Sequence, residues 1–374
     1  MPMLPTVPLQ DGVVRRDDTL ADGRDLFYYD DPGSSLPAER AADARTLDPR
    51  PATATMRHDP LTGEWVSIAS ARQNRVFLPP ADLDPLAPAS ATNPSEVPDR
   101  YDVAVFENRS PSFGPTTAAD AAVDPDPSVD PDGGIGRSRP SVGRCEVVCF
   151  SPEHEGSLGS QRPERLRTVV EAWADRTAAL SAVPGVEQVF PFENRGEAIG
   201  VTLRHPHGQI YAYPYVTPRT LRLAASVEAH GPSLFDDILA FELASERAVI
   251  RGERWSAYVP FAARWPLELH IMPHRHVADL SETDSDERAE LAELLPRVLR
   301  GIDAIYGDPT PYIAAWHQAP VHHHRDIRLT LQITSPRRAP DRLKYLAGSE
   351  SAMGAFIGDV LPETQAAAWK EAVR

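Results

Sequence analysis

Cysteine is scarce in this chain, with Cys145 and Cys149 the only two among 374 residues. On one strand they would stand about 13 Å apart, at about 3.3 Å per residue. That is too far for a disulfide within the strand. Two structural thiols in a reducing compartment are expected. Long hydrophobic runs are missing too: no stretch approaches 18 apolar residues, and the first residues show no charged-then-apolar leader pattern. No membrane span or secretory signal is expected, and the protein reads as cytoplasmic. Basic charge is also short. Lys and Arg number 38 against 54 Asp and Glu, for a net charge of −16. That excludes non-specific binding to nucleic acid or to an anionic membrane. An anionic small molecule is still allowed wherever basic residues cluster.

What is present suffices for a large core. The chain is 41% hydrophobic, and its length suggests two domains or two fused halves. Residues 1–50 are rich in Pro, Asp and Arg and read as an arm, with a small Asp-Gly hairpin over residues 20–29. Residues 78–100 form a proline-rich loop, and residues 116–142 an acidic low-complexity insertion. Residues 145–150 read as a buried strand. Residues 163–183 read as a helix, with Leu166, Val169, Val170, Trp173, Thr177 and Leu180 at helical spacing. A strand over 186–192 follows. The order of strands, one long helix and a His-bearing strand then recurs, with strand 267–273 and a helix over about 285–305. This suggests an internal duplication with little residue identity.

The most informative string is Glu193-Asn194-Arg195-Gly196, then Ile199 to Gln209, ending His205-Pro206-His207-Gly208-Gln209. In an extended strand, side chains at i, i+2 and i+4 share a face. His205, His207 and Gln209 are therefore expected to point into one site. Imidazole is a competent nucleophile near neutral pH, and glutamine donates to phosphoryl oxygens. The pattern reads as phosphate transfer with His207 as nucleophile. A bare His-x-His also fits a surface strand or half of a metal site.

The residues resemble the galactose-1-phosphate uridylyltransferase family, a branch of the histidine-triad superfamily. The matching segments are Phe192 to Gly196, His205 to Gln209, Arg57 to Trp65 (with Asp59 where the family has asparagine) and Phe150-Ser151-Pro152-Glu153-His154. Trp265-Pro266-Leu267-Glu268, Trp316-His317-Gln318-Ala319-Pro320 and Lys344 to Gly348 follow in the family's order. The resemblance implies an α+β fold of two fused histidine-triad-like halves, each an antiparallel sheet with packed helices. The expected divisions are an arm (1–50), a first half with the nucleophile (51–216) and a second half (217–374).

The resemblance also implies chemistry. His207 would attack the α-phosphorus of UDP-glucose and release glucose 1-phosphate. Galactose 1-phosphate would then take the uridylyl group, giving UDP-galactose. Both exchanging groups are phosphates, so positioning and charge stabilisation suffice, and transfer through a histidine is ping-pong. His207 should donate its other ring nitrogen to a carbonyl that the sequence does not identify. Gln209 would hold a phosphoryl oxygen. Arg72 and Arg75 would pair with diphosphate oxygens. Asn108 would contact the nucleotide, and Asn194 and Thr202 the phosphates. Lys344, Tyr345, Gly348 and Glu350 would reach the sugar from a partner subunit, making the protein a homodimer.

The chain departs from the family at its metal sites. Some members hold zinc with Cys-x-x-Cys and two histidines; here the stretch reads Asp84-Pro85-Leu86-Ala87-Pro88. His154 and His205 survive, and Asp84 could replace one cysteine. A three-ligand zinc site or a hydrogen-bonded loop follows, with no cofactor required for the chemistry. The family's iron site is expected to be absent, since His317 stands with Thr330, Gln332 and Leu223. His270, His274 and His276 are read as structural, and His322, His323 and His324 as an exposed loop. The alternatives are a phosphorylase of ADP-sugars or dinucleoside polyphosphates using the same histidine, or a non-catalytic nucleotide sensor.

Overall fold

The computed structural model describes residues 4–48, 50, 54–70, 78–114 and 135–374. The N-terminal strands are β1 (Thr6–Pro8), β2 (Val14–Thr19), β3 (Asp25–Asp30), β4 (Thr55–His58), β5 (Trp65–Ile68), β6 (Val103–Glu107), β7 (Ser138–Pro140) and β8 (Arg144–Cys149). Helix α1 (Pro163–Ser181) leads to β9 (Gln188–Arg195) and β10 (His207–Tyr213). Then come α2 (Pro218–His230), α3 (Leu234–Leu243), β11 (Ala248–Arg251), β12 (Trp255–Tyr258) and β13 (Leu267–Pro273). Helix α4 (Ser285–Tyr306) precedes β14 (Tyr312–His317) and β15 (Thr330–Ser335). The C-terminal tract carries α5 (Gly348–Met353) and α6 (Pro362–Ala372).

Twelve strands make one antiparallel sheet in the order β1-β2-β3-β6-β8-β10-β9-β14-β15-β13-β12-β11. The halves meet where β9 pairs with β14. Their registers repeat with one offset. Gln209 pairs with Phe192 and Val147; Gln332, 123 residues on, pairs with Ala315 and His270, each also 123 residues on. Phe192 and Ala315 also face each other across the junction. The sheet thus has an internal pseudo-two-fold relating His207 to Thr330. The fold is α+β, as the sequence suggests.

Helices α1 and α4 cover the same face. Leu166, Val169, Val170 and Trp173 of α1 share a buried core with Leu291, Leu295, Val298 and Ile302 of α4. Proline at its first turn opens α1 without losing a helical hydrogen bond. An Asp284–Glu287 capping box opens α4, and Gly307 at φ 69° ends it. Ile210 and Ala212 of β10 point into this core. By alternation, His207, Gln209 and Tyr211 are left on the opposite, half-buried face.

Two segments differ from expectation. The stretch expected as an arm contributes β1, β2 and β3, and β3 pairs with β6, so it extends the sheet edge. The expected hairpin is the β2–β3 turn, with Gly23 at φ 83°. The far end of the acidic insertion forms β7, which pairs with β4 beside β5 in a small second sheet. The rest of that insertion, up to residue 134, lies outside the described residues.

Candidate active site

Strand β10 starts at His207, after a bend at His205. The bend changes what alternation predicts. His205 is buried and turned away: its Nδ1 lies 2.6 Å from Asp84 Oδ2, and its Nε2 2.8 Å from the Ser151 carbonyl. It does not join Gln209 in the cavity beside the strand. What His205 offers instead is its backbone. His207 Nδ1 donates to the His205 carbonyl at 2.7 Å, which leaves Nε2 as the nitrogen with a free lone pair. Burial lowers the imidazole pKa of His207, and the neighbouring His205 lowers it further; the hydrogen bond to the His205 carbonyl and the Asp84 charge act against this. A depressed pKa means that the ring is neutral and nucleophilic near pH 7.

Gly208 lets the strand approach its neighbours. A Cβ there would lie 2.8 Å from Phe150 Cζ and 2.9 Å from the Phe192 carbonyl. Beside the strand, a cavity of about 220 Å³ is lined by His207, Gln209, Thr202, Asn108, Phe106 and Val147, among others. The Gln209 amide makes no hydrogen bond among the described residues, so it is uncommitted. The Asn108 carbonyl oxygen accepts from Ser110 N at 2.9 Å, leaving its amide NH2. On the other side of His207, a cavity of about 470 Å³ is lined by Asn194, Arg195, Ser157 and Ser160. His207 borders both cavities, apolar walls with convergent polar groups on one side and polar groups on the other. This arrangement suits a nucleoside joined to phosphates.

The sequence-predicted residues do not all gather here. Arg72 and Arg75 lie outside the described residues. Lys344 and Tyr345 line a different cavity with Ala198, Ile199 and Trp265, and His207 borders neither it nor the group around Glu350. Within this chain the Lys344 ammonium reaches the carbonyls of Arg264 and Ile357 and stands 3.6 Å from Glu350 Oε1. Gly348 opens α5, and Glu350 accepts from Ala347 N.

Asp84, His154 and His205 do meet. Asp84 Oδ2 lies 2.8 Å from His154 Nδ1 as well as 2.6 Å from His205 Nδ1. Among causes acting on Asp84, burial raises its pKa, but the hydrogen bond and charge of His205 prevail and hold it at about 2. Two imidazoles and a carboxylate are donors that zinc accepts. A tetrahedral zinc with bonds of about 2.0–2.1 Å would hold donors about 3.3 Å apart. The present spacing is that of hydrogen bonds. Around the iron position, Thr330 donates to the Arg328 carbonyl and Gln332 accepts from Arg219. His270, His274 and His276 are held by Glu268, Ser256 and the Arg325 carbonyl.

Sequence reasoning missed two contributors. Tyr101 is buried, and its hydroxyl sits between the Leu86 and Ser151 carbonyls, 3.1 Å from His205 Nε2. Glu193, inside the leading motif, accepts from Tyr312 Oη at 2.8 Å, and burial pushes its carboxyl up to about 7. With the Arg195–Asp303 ion pair at 2.8 Å, this ties β9 to the second half. Tyr312 lies outside every recognisable motif, so only the fold brings it to Glu193.

Two family models cover most of the chain. Galactose-1-phosphate uridyl transferase, N-terminal domain, matches residues 45–217, and the C-terminal domain of the same family matches residues 223–334. The chain belongs to the galactose-1-phosphate uridyl transferase family. A relative in Streptomyces lividans named galactose-1-phosphate uridylyltransferase is 46% identical over 80% of this chain and 79% of its own. One of the same name in Thermotoga maritima is 35% identical over 84% of this chain and 98% of its own. A solved uridylyltransferase is similar with a TM-score of 0.74 and 31% identity, over 85% of this chain and 98% of that one. An ADP-glucose phosphorylase from Arabidopsis thaliana shares the fold at a TM-score of 0.64 and 22% identity, over 84% of this chain and 98% of that one. Both of the family's domains are therefore represented, and the His205–Gln209 segment lies inside the N-terminal one.

Proposed function

We propose that this enzyme, a uridylyltransferase by family, works through a covalent bond between His207 Nε2 and the uridylyl phosphorus. Nε2 attacks the α-phosphorus of UDP-glucose. The bond from that phosphorus to the bridging oxygen breaks, and glucose 1-phosphate leaves with the electron pair. A phosphate oxygen of galactose 1-phosphate then attacks the same phosphorus. The P–N bond breaks, its electrons return to the imidazole, and UDP-galactose is released. Neither step needs a proton from the protein, because glucose 1-phosphate leaves as a stable anion and the imidazole, still protonated at Nδ1, leaves as a neutral ring. The carrying observation is the hydrogen bond from His207 Nδ1 to the His205 carbonyl, which fixes Nε2 as the free nitrogen.

The remaining roles follow from position. Gln209 donates to a non-bridging phosphoryl oxygen. Asn108 and the apolar wall of Phe106 and Val147 receive the nucleoside, while Thr202 and Asn194 flank the phosphates. Arg72 and Arg75 pair with the diphosphate. Lys344, Tyr345, Gly348 and Glu350 serve the sugar across a homodimer. Supporting that assembly, the C-terminal tract exposes Tyr345, Met353, Ile357 and Leu361, an apolar series that a partner would cover. The Asp84 bridge between His154 and His205 does the structural work of a metal, and no step runs through one. Such an enzyme would serve galactose metabolism in the cytoplasm, where the buried thiols of Cys145 and Cys149 would stay reduced.

Isotope exchange tests the ping-pong order. Labelled glucose 1-phosphate mixed with UDP-glucose and enzyme, without galactose 1-phosphate, should enter the UDP-glucose pool. Absence of exchange in an enzyme that turns over with both substrates would exclude the covalent step.

A further inference from the structure

The pseudo-two-fold places a second set of polar groups where the active site has its counterpart. Gln332 corresponds to Gln209, Thr330 to His207 and His317 to Asn194, all 123 residues on. Gln332, His317 and His270 lie on the sheet face opposite the α1–α4 core, as Gln209 does. The position matching His207 carries no imidazole: Thr330 is buried, and its hydroxyl donates to the Arg328 carbonyl.

Around this face, cations gather with little to offset them. Arg219, in the first turn of α2, donates to Gln332 Oε1 at 2.6 Å and makes no ion pair among the described residues. That bond leaves the Gln332 NH2 as a donor. The Arg264 guanidinium lies 5.6 Å over the Phe356 ring and likewise has no ion pair among them. His317 has ring contact with Phe190 but no hydrogen bond among the described residues, and it feels the charges of Arg219, His270 and Arg264. Glu268 is the carboxylate in reach, and it is occupied by the backbone N–H groups of Arg264 and Trp265 and by His270 Nε2. Burial and the nearby Arg264 charge lower the Arg219 pKa, while the Glu268 charge raises it. A cluster of like charges persists in a protein of net charge −16. Such a cluster suits an anionic ligand.

We propose that Arg219, Arg264, His317 and the Gln332 amide bind the dianionic phosphate of a phosphate monoester, or free phosphate, at a second, non-catalytic site. A tetrahedral dianion takes hydrogen bonds from several directions, which suits two guanidinium forks with an imidazole and an amide. With Thr330 in place of the imidazole, such a ligand is held and released unchanged.

Calorimetry on the full chain tests this with two probes, inorganic phosphate and glucose 1-phosphate. Glucose 1-phosphate should occupy two sites per chain in the parent protein and one in the Arg219→Gln/Arg264→Gln variant. Each single change should weaken the second event by at least about tenfold. If inorganic phosphate fills the second site equally well, the phosphate alone is read; if only glucose 1-phosphate does, the sugar is read too. UDP-glucose should still label His207 in the double variant at the parent rate, which separates this site from the catalytic one. One binding event in the parent, or two in the double variant, would overturn the proposal.

Discussion

The carbonyl of His205 and the Nδ1 of His207 are 2.7 Å apart, and that bond leaves Nε2 as the nitrogen with a free lone pair. A histidine two residues upstream thus acts through its backbone, while its ring is engaged with Asp84 on the other side of the chain. Removing the ring of His207 should abolish transfer. His207→Asn is expected to reduce turnover by at least about 10⁴-fold, as losses of a covalent nucleophile do. Its circular dichroism and melting temperature should stay near the parent's. Steady-state assay with coupled detection of glucose 1-phosphate checks this.

Protonation sets a second expectation. The His207 pKa lies below the ordinary 6.5, and in the proposed transfer only the neutral ring attacks. Activity should therefore fall on the acid side with an apparent pKa below 6.5. The same shift acts on stability. Between the folded and unfolded values the unfolded chain binds more protons, so the contribution of this group is present above the unfolded value and is lost as pH falls. A pH profile of kcat/KM for UDP-glucose reads the first effect. An acid limb centred above 6.5 would show that His207 is not held neutral.

Packing under the strand gives a third test. Gly208→Ala would push a methyl group against Phe150 and the Phe192 carbonyl, at 2.8 and 2.9 Å. Overpacking of this kind costs about 1–3 kcal/mol, and the backbone that gives way carries His207 and Gln209. Urea denaturation should show the loss of stability. Activity should fall more than substrate affinity, because the reacting nitrogen is displaced.

Asp84 is the fourth. Its carboxylate bridges His154 and His205 and is held at about pKa 2. Asp84→Asn keeps the shape but leaves one buried imidazole without its anionic acceptor, for a loss of about 1–3 kcal/mol. The carboxylate contribution is present above the unfolded pKa and fades as pH falls through about 2. Thermal unfolding at neutral pH checks the variant. If hydrogen bonds hold this cluster together, as proposed, chelator should leave the parent melting temperature unchanged; a fall would show that Asp84, His154 and His205 hold a metal.

Much of this is legible in the chain itself, for local reasons. The helices α1 and α4 follow from apolar spacing within one segment, and the His207–Gln209 pair from strand alternation. What depends on partners far along the chain is not. Nothing near residues 14–30 says that their second strand, β3, pairs with β6 rather than standing alone in an arm. Strand β7 is hidden because its three residues end a string of low complexity, and its register comes from β4. The turn of His205 away from its neighbours depends on the bend at His205 itself and on Asp84, 121 residues earlier. The duplication is visible as an order of elements, but the 123-residue offset needs the strand registers, since the side chains at matched positions mostly differ.

The most direct test is the intact mass of the protein after mixing with UDP-glucose alone. A gain of one uridylyl group is predicted, carried on the peptide containing His207, absent from His207→Asn and discharged by galactose 1-phosphate. No adduct on the parent, an adduct on another residue, or an adenylyl adduct from ADP-glucose in place of the uridylyl one would contradict transfer through His207.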